Sequence, residues 1–316
     1  MSKNLFDRAA LSICASIIAV IGDSGYAQER RLIPTFEAYV TDNVNSGSRN
    51  DEIAYNGALI SVPSSLQPQK GTVYKLGLVW LNFAYWDTEI GSFGFSPLLG
   101  HKSDSPGTTN TGYFGGLLDW RIVKSTREQI RNRTVVSRII ESLHDQEITF
   151  IKSQASYQRA LSPQQTIKVA ASLAHFDYSG VSAQDGVTYE AEFSHRFKNK
   201  NIKVQNSVVA GLRERRSNSY SGESFKFSSQ ISKFVLDNEI YTNFSFEKIK
   251  DDAPRPTQLA ARSEYVRSIE VGYAVPFPGS QDILATFYGR HETSSSNLSL
   301  FESKENRFGL KFKVRF

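Results

Sequence analysis

The chain has 316 residues, a formal net charge of +5, 22% charged and 12% aromatic residues, and a mean hydropathy of −0.36. Beyond the N-terminus no stretch holds ~18 consecutive apolar residues, which excludes a transmembrane helix. Basic residues do not cluster on one element, which excludes a nucleic-acid surface, and the single cysteine excludes a cysteine-based metal or redox site.

Residues 1–27 read as a secretory signal peptide. Lys3 and Arg8 precede an apolar run over 9–21, and Gly25 and Ala27 place small residues before a cut at Gln28. The run is too short to span a bilayer, and a buried N-terminal helix is the weaker alternative. Ile13 puts a bulky residue just before Cys14, and apolar sequence continues past it, which argues against lipidation. Residues 28–316 are expected to form a single domain.

From there apolar and polar residues alternate repeatedly, the mark of strands between two unlike surroundings. Phe36, Ala38 and Val40 oppose Glu37, Tyr39 and Thr41. A polar loop covers 41–50, a second strand is expected near 53–62, and 63–71 makes a turn. Residues 73–86 are apolar on both faces and give no orientation. Residues 87–110, rich in Gly, Ser, Pro and Thr, read as a long loop, with an ordered stretch over 90–99 as the alternative. The strand near 113–122 sets Phe114, Leu118 and Trp120 against Asp119 and Arg121.

Residues 124–145 support two readings. Ser125 with Glu128 resembles a helix capping box, and Ile130, Val136, Ile139, Ile140 and Leu143 form a loose helical stripe. The favoured alternative is a strand over 135–143 that pairs with the next segment. Strands near 148–160 and 167–178 then pair across 162–165. In 187–197, Tyr189, Ala191 and Phe193 oppose Glu190, Glu192, Ser194 and Arg196. Further strands follow at 202–213, 225–234 and 240–246, then a loop over 248–264. Ile269, Val271, Tyr273 and Val275 oppose Glu270, Gly272 and Ala274. A turn at 278–281 leads to a strand at 283–291 and a loop at 292–306. The last ten residues alternate without a break: Phe308, Leu310, Phe312, Val314 and Phe316 on one face, Arg307, Gly309, Lys311, Lys313 and Arg315 on the other.

A soluble sandwich would turn those cations to water. An outer-membrane barrel turns the apolar face to lipid and the polar face to the lumen. The secretory leader and the terminal aromatic favour the barrel. Working back from Phe316, connections alternate long and short: 292–306, 278–281, 248–264, 237–238. Long outer loops, short periplasmic turns and both termini in the periplasm require an even count, here about fourteen strands, with twelve or sixteen as alternatives. Closure is needed because an open sheet edge would leave amides unpaired in lipid. The expected fold is thus an all-β, antiparallel transmembrane β-barrel of the outer-membrane type, located in the cell outer membrane. Its expected partners are outer-membrane lipid and the outer-membrane assembly machinery, for which Phe316 is the assembly signal. No cofactor or metal is implied.

Alternation places Glu37, Asp119, Arg121, Lys168, Glu190, Glu192, Arg196, Lys203, Arg213, Lys226, Glu247, Glu270, Lys311, Lys313 and Arg315 on the lumen face. Two readings stay open: a salt-bridged, solvated interior, or a pore lining with weak anion preference. Val271 is expected toward lipid and Glu270 toward lumen water. Enzymatic function finds little support. The histidines are His101, His144, His175, His195 and His291, with no GxSxG motif and no metal-ligand spacing. His175 and Asp177 share a strand face, the pattern of an ordinary rim pair more often than of a protease site.

The segment Asp42-Asn43-Val44-Asn45 after a first strand, and Ser296-Asn297 before a last strand ending in Phe316, resemble the barrel domain of surface lipoprotein assembly modifiers. That resemblance implies a barrel that helps move or display lipoproteins or other proteins at the cell surface, behind a periplasmic tetratricopeptide domain. Here the first strand is expected close to the cleavage site with no helical repeats before it, so such a role would require a separate periplasmic partner or exported protein. The alternatives are a general porin or small-solute channel, and a structural or adhesive barrel that binds through its outer loops.

Overall fold

The structure, a computed structural model, describes residues 31–43, 52–55, 58–61, 67–105, 107, 110–141, 146–236, 238–255, 258, 260–277 and 280–314. The leader region 1–27, Arg315 and Phe316 lie outside the described residues. Among the described residues seventeen strands occur in the order β1 (Arg31–Thr41), β2 (Glu52–Tyr55), β3 (Ala58–Ser61), β4 (Gly71–Leu81), β5 (Ala84–Thr88), β6 (Gly91–Ser105), β7 (Asn110–Ser125), β8 (Glu128–Glu141) and β9 (Gln146–Ala160). The order continues with β10 (Gln165–Tyr178), β11 (Gly186–Lys198), β12 (Ile202–Arg215), β13 (Gly222–Val235), β14 (Asn238–Asp251), β15 (Ser263–Phe277), β16 (Ser280–Ser296) and β17 (Ser303–Val314).

Fourteen of these close a ring. β1 pairs with both β17 and β4, β4 pairs with β6, and every strand from β6 to β17 pairs antiparallel with the next. The barrel therefore has no open edge, as a lipid environment demands. Ring strands run from 11 to 17 residues, at or above the roughly 9–11 a tilted strand needs to cross a bilayer.

Two sequence expectations fail in compensating ways, so the total of fourteen survives them. The strand expected near 53–62 is not in the ring: β2 and β3, four residues each, pair only with one another. They are too short to span, and the whole of 42–70 connects β1 to β4 at one end of the barrel. The long loop expected over 87–110 is instead β6, paired along its length with β7. Its glycines and Pro97 hid the alternation. Between Val79↔Leu98 and Ala84↔Phe95 the ladder breaks, Asn82 adopts φ 51°, and its amide donates to Ser96 Oγ at 2.9 Å. Proline is tolerated at such an irregularity, and asparagine accepts the left-handed region better than most residues. Residues 128–141 form a strand, so the helical alternative for this stretch is excluded.

One face of the ring carries exposed apolar side chains, including Leu32, Val40, Leu76, Leu99, Phe114, Val169, Phe193, Phe244, Val271 and Phe308. The other face carries charges that reach past an intervening strand. Lys152 on β9 meets Glu190 on β11 at 2.5 Å, and Arg213 on β12 meets Asp251 on β14 at 2.8 Å. Only side chains on a concave surface converge in that way, so this polar face is the interior. At the end where β1 begins and β17 finishes, connections are short: 126–127, 161–164, 199–201 and 236–237. On the outer surface there, Trp86, Phe93 and Trp120 lie in one register row, and Trp80 packs edge-on against Phe83 at 4.6 Å. This is a partial interfacial aromatic girdle.

Candidate functional site

Residues opposite each other in an antiparallel ladder share a face, so the pairing carries inwardness round the ring. Glu37 faces Lys311 and Lys75; Lys226 faces Glu247; Glu270 faces Asn243 and Arg290. The same rows place Asp119, Arg121, Lys168, Glu190, Glu192, Arg196, Lys203, Arg213 and Lys313 on the inner surface. The ring spreads these groups around the lumen and gathers them into no single centre. His175 and Asp177 project from the outer surface of β10, away from the lumen.

The inner wall has two unlike halves. Along β1, β4 and β6–β10, inward Ile33, Val79, Leu81, Leu98, Leu117, Val135, Ile139, Ile148, Phe150, Ala174, Phe176 and Tyr178 form one buried cluster. Phe150 and Phe176 pack at a tilt of 49° with 5.0 Å between ring centres, and Phe150 is 1% exposed. A packed apolar sector therefore fills that side of the lumen. Along β11–β15 an inward row is Ser194, Ser207, Ser228, Ser245 and Ser268, aligned without interruption. Ser245 and Ser268 hydroxyls hydrogen-bond at 2.8 Å, and Ser207 donates to Ser228 at 3.4 Å. Gln205 and Lys226 point inward beside this row and are exposed, so the lumen is open along this wall.

Between the halves runs a row of alternating tyrosine and glycine: Tyr241, Gly272, Tyr288, Gly309 and Tyr39 on β14, β15, β16, β17 and β1. A Cβ at Gly272 would fall on the Tyr241 ring, and one at Gly309 would meet both Tyr39 and Tyr288. The missing side chains let the phenol rings lie along the wall. Tyr241 then donates to Glu270 at 2.9 Å and Tyr288 to Glu37 at 2.7 Å. Lys311 completes the group, 3.5 Å from Glu37, 3.4 Å from Glu270, and 3.8 Å above the Tyr288 ring. Glu270 is thus a buried, partnered carboxylate on the lumen face.

Most inner charges are paired in the same manner. Asp119 holds Arg131, Lys168 lies 3.2 Å from Glu192, Lys75 lies 3.0 Å from Glu37, and Lys226 lies 3.5 Å from Glu247. Sequence reasoning missed Lys75, Arg131, Lys152 and Arg290, and Tyr241 and Tyr288, while alternation puts Arg307 and Tyr39 on the polar faces of β17 and β1. For Lys152 the signal was masked, because inward Ile148 and Phe150 make both faces of β9 apolar. For Arg290 a signal existed: it lies two residues from inward Tyr288 on a clearly alternating strand.

At the opposite end of the barrel from the termini, three guanidinium groups converge on Asp251. Arg213 and Arg262 reach its Oδ1 at 2.8 and 3.1 Å, and Arg255 reaches Oδ2 at 3.4 Å. Arg262 also meets Glu264 at 3.4 Å. Phe301 lies between Arg255 and Arg262, with centroid distances of 5.4 and 5.0 Å. Burial, opposed by Asp251 and reinforced by Arg255 and Arg213, pushes the Arg262 guanidinium down to about 10, so it remains a cation at neutral pH. The cluster staples connections 252–262 and 297–302 across the ends of β12–β16.

No family model matches the sequence, and no curated protein matches it. Solved structures do. A TodX monoaromatic hydrocarbon channel mutant is 8% identical, with a TM-score of 0.50, over 92% of this chain and 91% of that one. A FadL homologue of Pseudomonas aeruginosa is 10% identical, with a TM-score of 0.49, over 91% of each chain. The outer-membrane channel DcaP of Acinetobacter baumannii is 9% identical, with a TM-score of 0.48, over 93% and 99%. At such identities the likeness concerns the fold. The chain is a fourteen-stranded β-barrel of the cell outer membrane.

Proposed function

We propose that this barrel is a passive channel for small polar solutes. The observation that carries the reading is the unpacked wall of β11–β15, where a row of serines borders exposed, inward Gln205 and Lys226. Hydroxyl and amide groups can exchange hydrogen bonds with a passing solute and its water without holding it. Opposite-sign pairing along the wall leaves little net field, which supports weak ionic selectivity. A barrel of the same fold passes monoaromatic hydrocarbons, as its name states. In this chain the apolar sector of the lumen is packed, so a polar solute fits the open path better. The test is conductance of the refolded protein in planar bilayers. Ohmic steps with a reversal potential near zero in a salt gradient are expected, and Ser228→Trp should lower the step size while the barrel still folds. Folded protein that conducts no ions would sink the reading.

The resemblance to surface lipoprotein assembly modifiers supports a second reading, export or display of proteins. Ser296 and Asn297, which carry part of it, have a structural duty here. Asn297 accepts the Ser263 amide at 2.7 Å and donates to the Ala261 carbonyl at 2.8 Å. The Ser296 hydroxyl donates to the Ser263 carbonyl at 3.2 Å. Those bonds tie the start of β15 to the end of β16 at the loop end whatever the barrel transports, so the export reading stands second.

A further inference from the structure

The outer surface of β14–β17 carries cations just above the apolar belt. In one register row lie Phe246, Arg267, Thr293 and Lys304 on four adjacent strands. One row nearer the loop end, Lys248 faces Tyr265, its ammonium 5.8 Å from the ring centre. On the other side come Phe244 and Ile269, then Val271, Phe308 and Val40, all exposed. Arg267 and Lys304 are exposed, and among the described residues neither has a carboxylate partner. Asp42, at the border of the patch, is held by Asn306, whose amide donates to it at 2.7 Å. Elsewhere on the outer rim cations are matched: Arg138 pairs with Glu147, and Lys250 lies 3.8 Å from Glu223.

Two cations facing a bilayer at the edge of the hydrocarbon are costly unless an anion meets them, and anionic headgroups are the natural partner. Arg267 and Lys304 flank Thr293 across two strand spacings, roughly 10 Å. Long loops mark this end as the extracellular one. We propose that this surface binds a phosphorylated, multiply acylated glycolipid of the outer leaflet. Arg267 and Lys304 hold separate phosphates, Lys248 adds a third donor, and the acyl chains lie on Ile269, Val271 and Phe308. The proposal does not depend on what the lumen conducts.

The test uses the refolded barrel in phosphatidylcholine nanodiscs titrated with bisphosphorylated lipid A. Saturable binding is expected. It should weaken about tenfold or more in the Arg267→Gln/Lys304→Gln double variant, persist in Arg267→Lys/Lys304→Arg, and be unchanged in Arg138→Gln. Dephosphorylated lipid should bind weakly, and millimolar inorganic phosphate should not displace the glycolipid. Undiminished binding by the double Gln variant, or equal binding of dephosphorylated lipid, overturns the proposal. Displacement by inorganic phosphate overturns the lipid as the occupant. If the double variant does not fold, Lys304→Gln alone and the salt dependence of wild-type binding decide the same question.

Discussion

The two halves of the inner wall are made of the same kind of strand and differ in what they leave inside. Along β6–β10 the inward positions hold Leu98, Leu117, Val135, Phe150 and Phe176, which meet one another and exclude water. Along β11–β15 one inward row holds Ser194, Ser207, Ser228, Ser245 and Ser268, too short to meet anything across the lumen, and beside it inward Gln205 and Lys226 stay exposed. The alternation is identical in both. Apolar side chains that pack together on one half, and polar ones that stay in water on the other, separate a core from a conduit in this barrel.

The comparison can be broken by reversible urea unfolding in lipid vesicles. Phe150→Ala should have the largest effect, about 3–5 kcal/mol, because the cavity opens inside a close-packed cluster. Ser228→Ala, its foil on the open wall, should stay within about 0.5 kcal/mol. Equal losses would mean that the two halves are not energetically distinct. A smaller effect sharpens the boundary between them. Glu270→Gln keeps an acceptor for Tyr241 but removes the charge facing Lys311, and should cost about 1–3 kcal/mol. A loss no larger than that of Ser228→Ala would show that lumen water solvates this position after all.

The outer surface was legible in the sequence because lipid is a uniform solvent. Outward positions in the middle of β17, β15 and β11 are apolar, and Phe308, Val271 and Phe193 announced the period. The interior is not uniform, so its residues follow no single rule. Inward Leu98 and Gly94 beside outward Phe95 and Pro97 erased the alternation of β6. The residues of that strand therefore look like a loop, while those of the loop-borne hairpin β2–β3 look like a spanning strand. Individual lumen charges were legible on the strands where the opposite face was cleanly apolar. Their partners were not, since the Lys152–Glu190 and Arg213–Asp251 pairs span sequence separations of 38 residues and depend on curvature. The tyrosine–glycine row was hidden for a similar reason. Neither residue type signals inwardness alone, and only the ladder brings Tyr241 over Gly272.

All three tryptophans of the chain, Trp80, Trp86 and Trp120, sit on β4, β5 and β7 at the turn end of the barrel. Indole rings prefer the headgroup layer to either water or hydrocarbon. With all of them on one arc, the restoring force that sets immersion depth is unequal around the circumference. The β4–β7 side is the more firmly moored, so a bilayer of the wrong thickness should tip the cylinder about that arc more than lift it evenly. Quenching by brominated lipids would then place the indoles at a constant depth as acyl chains are lengthened, and a depth that drifts with chain length would contradict that hinge-like mooring.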